Sequence, residues 1–211
     1  MDNQKPKLVL LDVDRTLFDR QRYRKFIQEK VLEKTGIDNS SEESIYKQTI
    51  FEKGVFDRDY YLNLLSSKIS TNNSLDVLRQ MLFDESILTN YLYADVSYFL
   101  EQISMTAKLG VLSMGDYNFQ KSKLSSFQRL LESDKIYILP DKKKEAERIT
   151  SENKEFQVYF IDDDPETLEI YKKSDPNWTT ILIERYGPND YNYVSDFEIT
   201  SLQEGVEIIN K

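Results

Sequence analysis

The sequence predicts a three-layer α/β protein: a parallel sheet covered by helices on both faces, with an all-helical block inserted after the first strand. Three observations carry this. Short, continuous apolar runs recur along the chain, and each stops at a polar cluster. Helical patterns alternate with those runs. One long stretch, from about Phe18 to about Ala94, shows helical spacing and no convincing strand.

Lys7–Val13 (KLVLLDV), Leu109–Ser113 (LGVLS) and Val158–Ile161 (VYFI) are short runs rich in Val, Leu, Ile or aromatics, which suits strands buried on both faces. Thr179–Ile183 (TTILI) and Ile136–Leu139 (IYIL) read the same way. Helical patterns cover Asn118–Leu131, Lys142–Ile149, Pro165–Tyr171 and Leu202–Ile209. This alternation implies parallel strands joined by helical crossovers. Within the inserted stretch, Tyr23, Phe26, Ile27, Val31 and Leu32 fall at helical spacing before a stop at Gly36. Ile45, Tyr46 and Ile50 lead to Gly54. Tyr60, Leu62, Leu64 and Leu65 follow, then Leu75, Val77, Leu78, Met81 and Leu82. Residues 70–74 (STNNS) read as a loop between helices. The expected division is a core domain of residues 1–17 and 95–211 and a helical domain of residues 18–94.

Composition narrows the chemistry. The 211 residues include 39% hydrophobic and 31% charged, a globular balance, with a formal charge of −9. So acidic a chain repels nucleic-acid backbones and anionic lipid, so neither is expected as a partner. With no cysteine and no histidine, disulfides, thiolate nucleophiles and histidine-based triads are excluded. Carboxylates, lysines, hydroxyls, backbone amides and an oxygen-liking metal remain. No run is long enough for a membrane span or an export signal, so a cytoplasmic location is expected.

Four clusters then stand out. In Asp12-Val13-Asp14-Arg15-Thr16, two carboxylates end a run that should be buried. Burying one carboxylate is costly and a neighbouring one adds repulsion, so the pair asks for a cation. Read as an ordinary turn, the same residues would end a strand, with Asp14 capping the next helix. Val158–Ile161 likewise runs into Asp162-Asp163-Asp164, with Glu166 two residues on. Parallel strands bring both clusters to the carboxyl edge of the sheet, where ligands bind. Such a site suits magnesium, which takes one or two carboxylates and keeps several waters. Ser113-Met114-Gly115-Asp116 follows another buried strand and suits an oxyanion at a strand-to-helix turn. Lys142-Lys143-Lys144 follows Asp141, itself an N-cap candidate, and places cations where the helix dipole disfavours them. A lysine reaching over the acidic clusters would repay that.

Asp-x-Asp-x-Thr, then Ser, Lys and an Asp cluster, each at a strand end, resembles the haloacid dehalogenase superfamily. The likeness spans essentially the whole chain, including the helical insertion, which would be the family's cap, and Leu109–Asp116 with Phe119, Gln120 and Lys123 after it. It implies a Rossmann-like parallel sheet and a magnesium-dependent phosphatase acting on a small phosphorylated metabolite. Asp12 would be the nucleophile and Asp14 the general acid and base. Ser113, Met114 and Lys142 would bind phosphate, and Asp12, Asp14 (through its carbonyl), Asp162 and Asp163 would hold magnesium. Two assignments stay open at this point, Lys143 for Lys142 and Glu166 for Asp163. The family often has glycine where this chain has Arg15.

Within the same superfamily, a dehalogenase needs the nucleophile but neither Asp14 nor a metal. A phosphotransferase or mutase is a further alternative, and phosphonate cleavage would call on a cap lysine such as Lys25, Lys30 or Lys34. A non-catalytic binding protein could keep the fold. Oligomeric state is not legible.

Overall fold

A computed structural model describes residues 5–69, 75–187 and 195–211; the loop expected at 70–74 lies outside them. Strand β1 (Lys7–Leu11) is followed by helices α1 (Arg20–Thr35), α2 (Asn39–Lys53), α3 (Arg58–Lys68), α4 (Leu75–Phe83) and α5 (Glu85–Thr89). After them come α6 (Val96–Ser104), β2 (Lys108–Met114), α7 (Tyr117–Lys123), β3 (Ile136–Leu139) and α8 (Ala146–Glu152). Strand β4 (Gln157–Asp162), α9 (Pro165–Ser174), β5 (Thr179–Ile183), β6 (Phe197–Ile199) and α10 (Leu202–Ile209) complete the chain. The six strands form one parallel sheet in the order β3-β2-β1-β4-β5-β6. This is the predicted α/β, Rossmann-like architecture.

Alternation along β1 divides the core. Leu8 and Leu10 pack with Phe160, Ile149, Leu168, Tyr171 and Trp178 on the α8–α9 side. Val9 and Leu11 face Phe99, Leu100, Ile103, Leu202 and Ile209 on the α6–α10 side. None of α1–α5 joins the sheet. These helices pack on one another in sequence, and Phe119 of α7 reaches into them, 5.5 Å from Phe56 and 5.6 Å from Phe83 between ring centres. Burying one such ring is worth about 1.5–3 kcal/mol. No helix among the described residues is long and apolar enough to cross a membrane.

Several boundaries differ from expectation. β1 ends at Leu11 rather than Val13, because the Val13 carbonyl accepts from the amides of Leu17 (2.9 Å) and Phe18 (2.8 Å) and turns the chain. Asp19, not Asp14, caps α1, accepting from the Arg22 amide. The helix expected over Asn118–Leu131 breaks after Lys123 and continues as a 3-10 stretch, Ser125–Leu130. Lys143–Glu145 is likewise 3-10 before α8 begins. Gly36 and Gly54 end α1 and α2 in the left-handed conformation, as the spacing predicts.

Candidate active site

The carboxyl ends of β1, β2 and β4 lie side by side because these strands are neighbours in register. The Asp12 amide still donates to the Ile161 carbonyl at 3.0 Å, so Asp12 is fixed against β4 although it lies beyond β1. Asp12, Asp162 and Asp163 each present a carboxylate oxygen, all within 4.8 Å of one another. Asp12 and Asp162 are buried.

Lys142 lies between them. Its Nζ donates to Asp12 Oδ1 at 2.7 Å and to Asp162 Oδ2 at 2.6 Å. Burial alone would lower its pKa, but these two carboxylates outweigh that and hold it above the usual lysine range. The Lys142 carbonyl accepts from Tyr171 Oη at 2.8 Å, which fixes the loop. Lys143 turns instead to Asp164 and Glu166, and Lys144 to Asp141. Lys142 and Asp163 thus lie within the acidic cluster, while Lys143 and Glu166 pair with each other outside it.

Three carboxylates share one buried ammonium, and the shortfall falls on Asp163. Burial, then the charge of Asp12, pushes its pKa up to about 7. Among the described residues, its one ion pair is with the half-exposed Arg15, at 3.5 Å. An all-oxygen, charge-deficient cluster of this kind fits a hard divalent cation.

Two buried hydroxyls, Ser113 Oγ and Thr16 Oγ1, have no hydrogen-bond partner. Buried polar groups are nearly always satisfied, so this pair, Ser113 at the end of β2 and Thr16 in the turn after β1, fits an anion that completes them. Met114 follows Ser113 at the end of β2. Its side chain is exposed and its carbonyl accepts from Gln120 Nε2 at 3.0 Å. The Gly115 amide is not free for an anion either, since it donates to the Leu139 carbonyl at 2.9 Å. Gly115 is needed for close approach: at φ +150° a Cβ there would lie 2.7 Å from Gln120 Nε2.

Asp14 is occupied by partners from α7. Lys123 Nζ donates to its Oδ1 at 2.6 Å and Gln120 Nε2 to its Oδ2 at 3.0 Å. Burial would raise the Asp14 pKa, but the charges of Lys123 and Arg20 and these bonds win and lower it. Lys123 is itself buried, its ammonium 4.5 Å from the Phe119 ring centre and 4.7 Å from that of Phe18. Sequence reasoning noted Gln120 and Lys123 but gave them no role. Arg15 has φ +64°, the only positive φ of a non-glycine among the described residues. This is a physical reason for glycine at that position. The turn is held from β5 by Arg185, which donates to the Thr16 carbonyl at 2.8 Å and grips Asp95 at 2.7 and 3.0 Å.

No protein-family model and no curated protein sequence matches the chain. Solved structures do. A Burkholderia xenovorans protein described as a haloacid dehalogenase-like hydrolase superposes with a TM-score of 0.77 at 18% identity, over 97% of this chain and 96% of its own. The HAD-hydrolase YfnB of Bacillus subtilis, bound to magnesium, gives 0.62 at 16% identity, over 99% and 100%. The L-2-haloacid dehalogenase of Xanthobacter autotrophicus, with chloropropionic acid covalently bound, gives 0.63 at 12%, over 97% and 98%. From end to end, the chain has the fold of the haloacid dehalogenase-like hydrolases.

Proposed function

We propose that the chain is a magnesium-dependent phosphatase that hydrolyses a small phosphate monoester through Asp12. The observation that favours this most is the convergence of Asp12, Asp162 and Asp163 together with a second acid, Asp14, two residues after the first. Asp12, Asp162, Asp163 and the Asp14 carbonyl would hold the ion, which would supply charge compensation for the phosphoryl group. Lys142 fixes Asp12 Oδ1, leaving Oδ2 to attack phosphorus. The Asp12–phosphorus bond forms as the ester oxygen leaves, taking a proton from Asp14. Water then attacks the aspartyl-phosphate, giving its proton back to Asp14 and releasing phosphate. The unsatisfied Ser113 and Thr16 hydroxyls would bind phosphoryl oxygens, with the Lys142 charge beside them. The ion pair with Lys123 holds Asp14 as a carboxylate, the form that accepts the proton of water in the second step, whereas the first step draws on its protonated form. The helical insertion, residues 18–94, would act as a cap that selects the substrate.

A second reading is favoured by the neighbours, among them a dehalogenase with chloropropionic acid covalently bound. There Asp12 would attack carbon and expel halide, leaving Asp14, Asp162 and Asp163 without a chemical role. One experiment separates the two. Phosphate release from an aryl phosphate and halide release from a 2-haloacid are measured with and without magnesium, with Asp12→Asn as control. Magnesium-dependent phosphate release, lost in the variant, is expected. Halide release without phosphate release would reverse the assignment, and full turnover by the variant would remove Asp12 from it.

A further inference from the structure

Two spaces adjoin the acidic residues, one bordered by Asp163 and the other by Asp14. One is a cleft of about 600 Å³ between the β5 exit and helices α1 and α2. The other is an apolar cavity of about 150 Å³ lined by Tyr23, Ile50, Val55, Phe56 and Phe119. Arg20, Arg24 and Tyr46 border both.

The cations around these spaces are not equivalent. Arg24 is locked by Glu42, bidentate at 2.9 and 2.7 Å, and by Glu43 at 3.0 Å. Arg15 approaches Asp163, Arg185 grips Asp95, and Lys123 holds Asp14. Arg20 differs. It is half-buried, and its Nη2 donates to the neutral hydroxyl of Tyr46 at 2.7 Å. Among the described residues no carboxylate makes an ion pair with it. Nor is it loosely placed. Tyr46 is buried, its ring 3.7 Å from the Arg24 guanidinium, so the hydroxyl that positions Arg20 is itself fixed. A partly desolvated guanidinium, aimed by a neutral partner and in contact with no carboxylate, is arranged to receive an anion. Arg20 and Asp14 both line the smaller cavity, so Arg20 lies on the side where Asp14 would meet the leaving group of a substrate.

We infer that the substrate carries a second anionic group, a carboxylate or a further phosphate, which Arg20 receives across the apolar cavity from the scissile bond. This rests on reading Asp12 as the reacting group. The cavity takes the short carbon skeleton between the two ends, and Tyr46 sets the direction of the guanidinium.

Binding of three non-hydrolysable probes tests this by calorimetry in the presence of magnesium: propylphosphonate, 3-phosphonopropionate and propane-1,3-bisphosphonate. The wild type should bind at least one dianionic probe about tenfold or more tighter than propylphosphonate, as expected of a charge-assisted contact. Whichever probe gains identifies the second group as carboxylate or phosphate. Arg20→Met should bring all three within about twofold to threefold of one another, while Arg20→Lys keeps part of the preference. Should Arg20→Met fail to fold, Tyr46→Phe, which frees the guanidinium, should reduce the preference. Equal affinities in the wild type, no binding of any probe, or a preference that survives Arg20→Met would overturn the inference. Binding is read without turnover. Should no phosphate ester be hydrolysed while the Arg20-dependent preference persists, the phosphatase reading fails and the second-anion site stands.

Discussion

Lys142→Met is the most informative perturbation of the folded state. The side chain is buried, with its ammonium 2.7 Å from Asp12 and 2.6 Å from Asp162. Removing one partner of a buried ion pair costs about 3–5 kcal/mol, because the other charge is left uncompensated. Here two carboxylates lose their partner and repel each other, so the upper end, about 5 kcal/mol, is expected in metal-free buffer. Against a total stability of about 5–15 kcal/mol that is a large fraction. At about 2–4 °C per kcal/mol for a chain of this size, the melting temperature should fall by about 10–20 °C. Magnesium at a hundred times its Kd should restore about 2.7 kcal/mol. Adding Asp162→Asn should recover part of the loss by removing one of the stranded charges. Urea unfolding can be followed by Trp178, the one tryptophan, which is buried and stacked 5.2 Å from Tyr171. A loss below about 1 kcal/mol, the range of an exposed pair, would refute the reasoning, since Lys142 would then not be compensating buried negative charge.

Other outcomes follow from the same geometry. Arg185→Met strands Asp95, which also accepts from the Leu202 amide at 2.8 Å, so urea unfolding should show a loss of about 3–5 kcal/mol; a change under about 1 kcal/mol would contradict it. Arg15→Val forces a branched residue into the left-handed conformation (φ +64°) and should cost about 1–3 kcal/mol, whereas Arg15→Gly should cost little or nothing. Equal losses would show that strain is not the cause. Burial would raise the Asp196 pKa, but Lys172 and the Thr180 amide and hydroxyl outweigh it and lower it. A depressed folded pKa gives stability that is present above the unfolded value of about 3.9 and lost as pH falls through the folded one. Asp196→Asn should therefore flatten the stability profile on the acid side of pH 4, and an unchanged profile would exclude the linkage.

Much of this architecture was visible in the sequence because buried strands in a parallel sheet leave continuous apolar runs. The acids at their ends stood out because Asp12 and Asp162 are costly to bury without a cation. The edge strand β6 escaped because three residues, FEI, carry no period. Helix α6 escaped although Val96, Phe99, Leu100 and Ile103, all buried, fall at helical spacing and could have revealed it. The break after Lys123 was hidden because the apolar spacing runs on through the 3-10 stretch. Which of two adjacent lysines faces the acids is a matter of tertiary position. The same holds for the grip of Lys123 and Gln120 on Asp14 and for the neutral partner of Arg20. None of these leaves a local pattern.

The proposed hydrolysis requires that Asp12 become phosphorylated beside the acidic cluster. Mass spectrometry of the acid-quenched protein, taken during turnover of a phosphate ester with magnesium, tests it most directly. The peptide containing Asp12 should gain one phosphoryl group, dependent on the metal and absent in Asp12→Asn. No adduct, a phosphoryl group on another residue, or an ester formed from a 2-haloacid in its place would contradict the account.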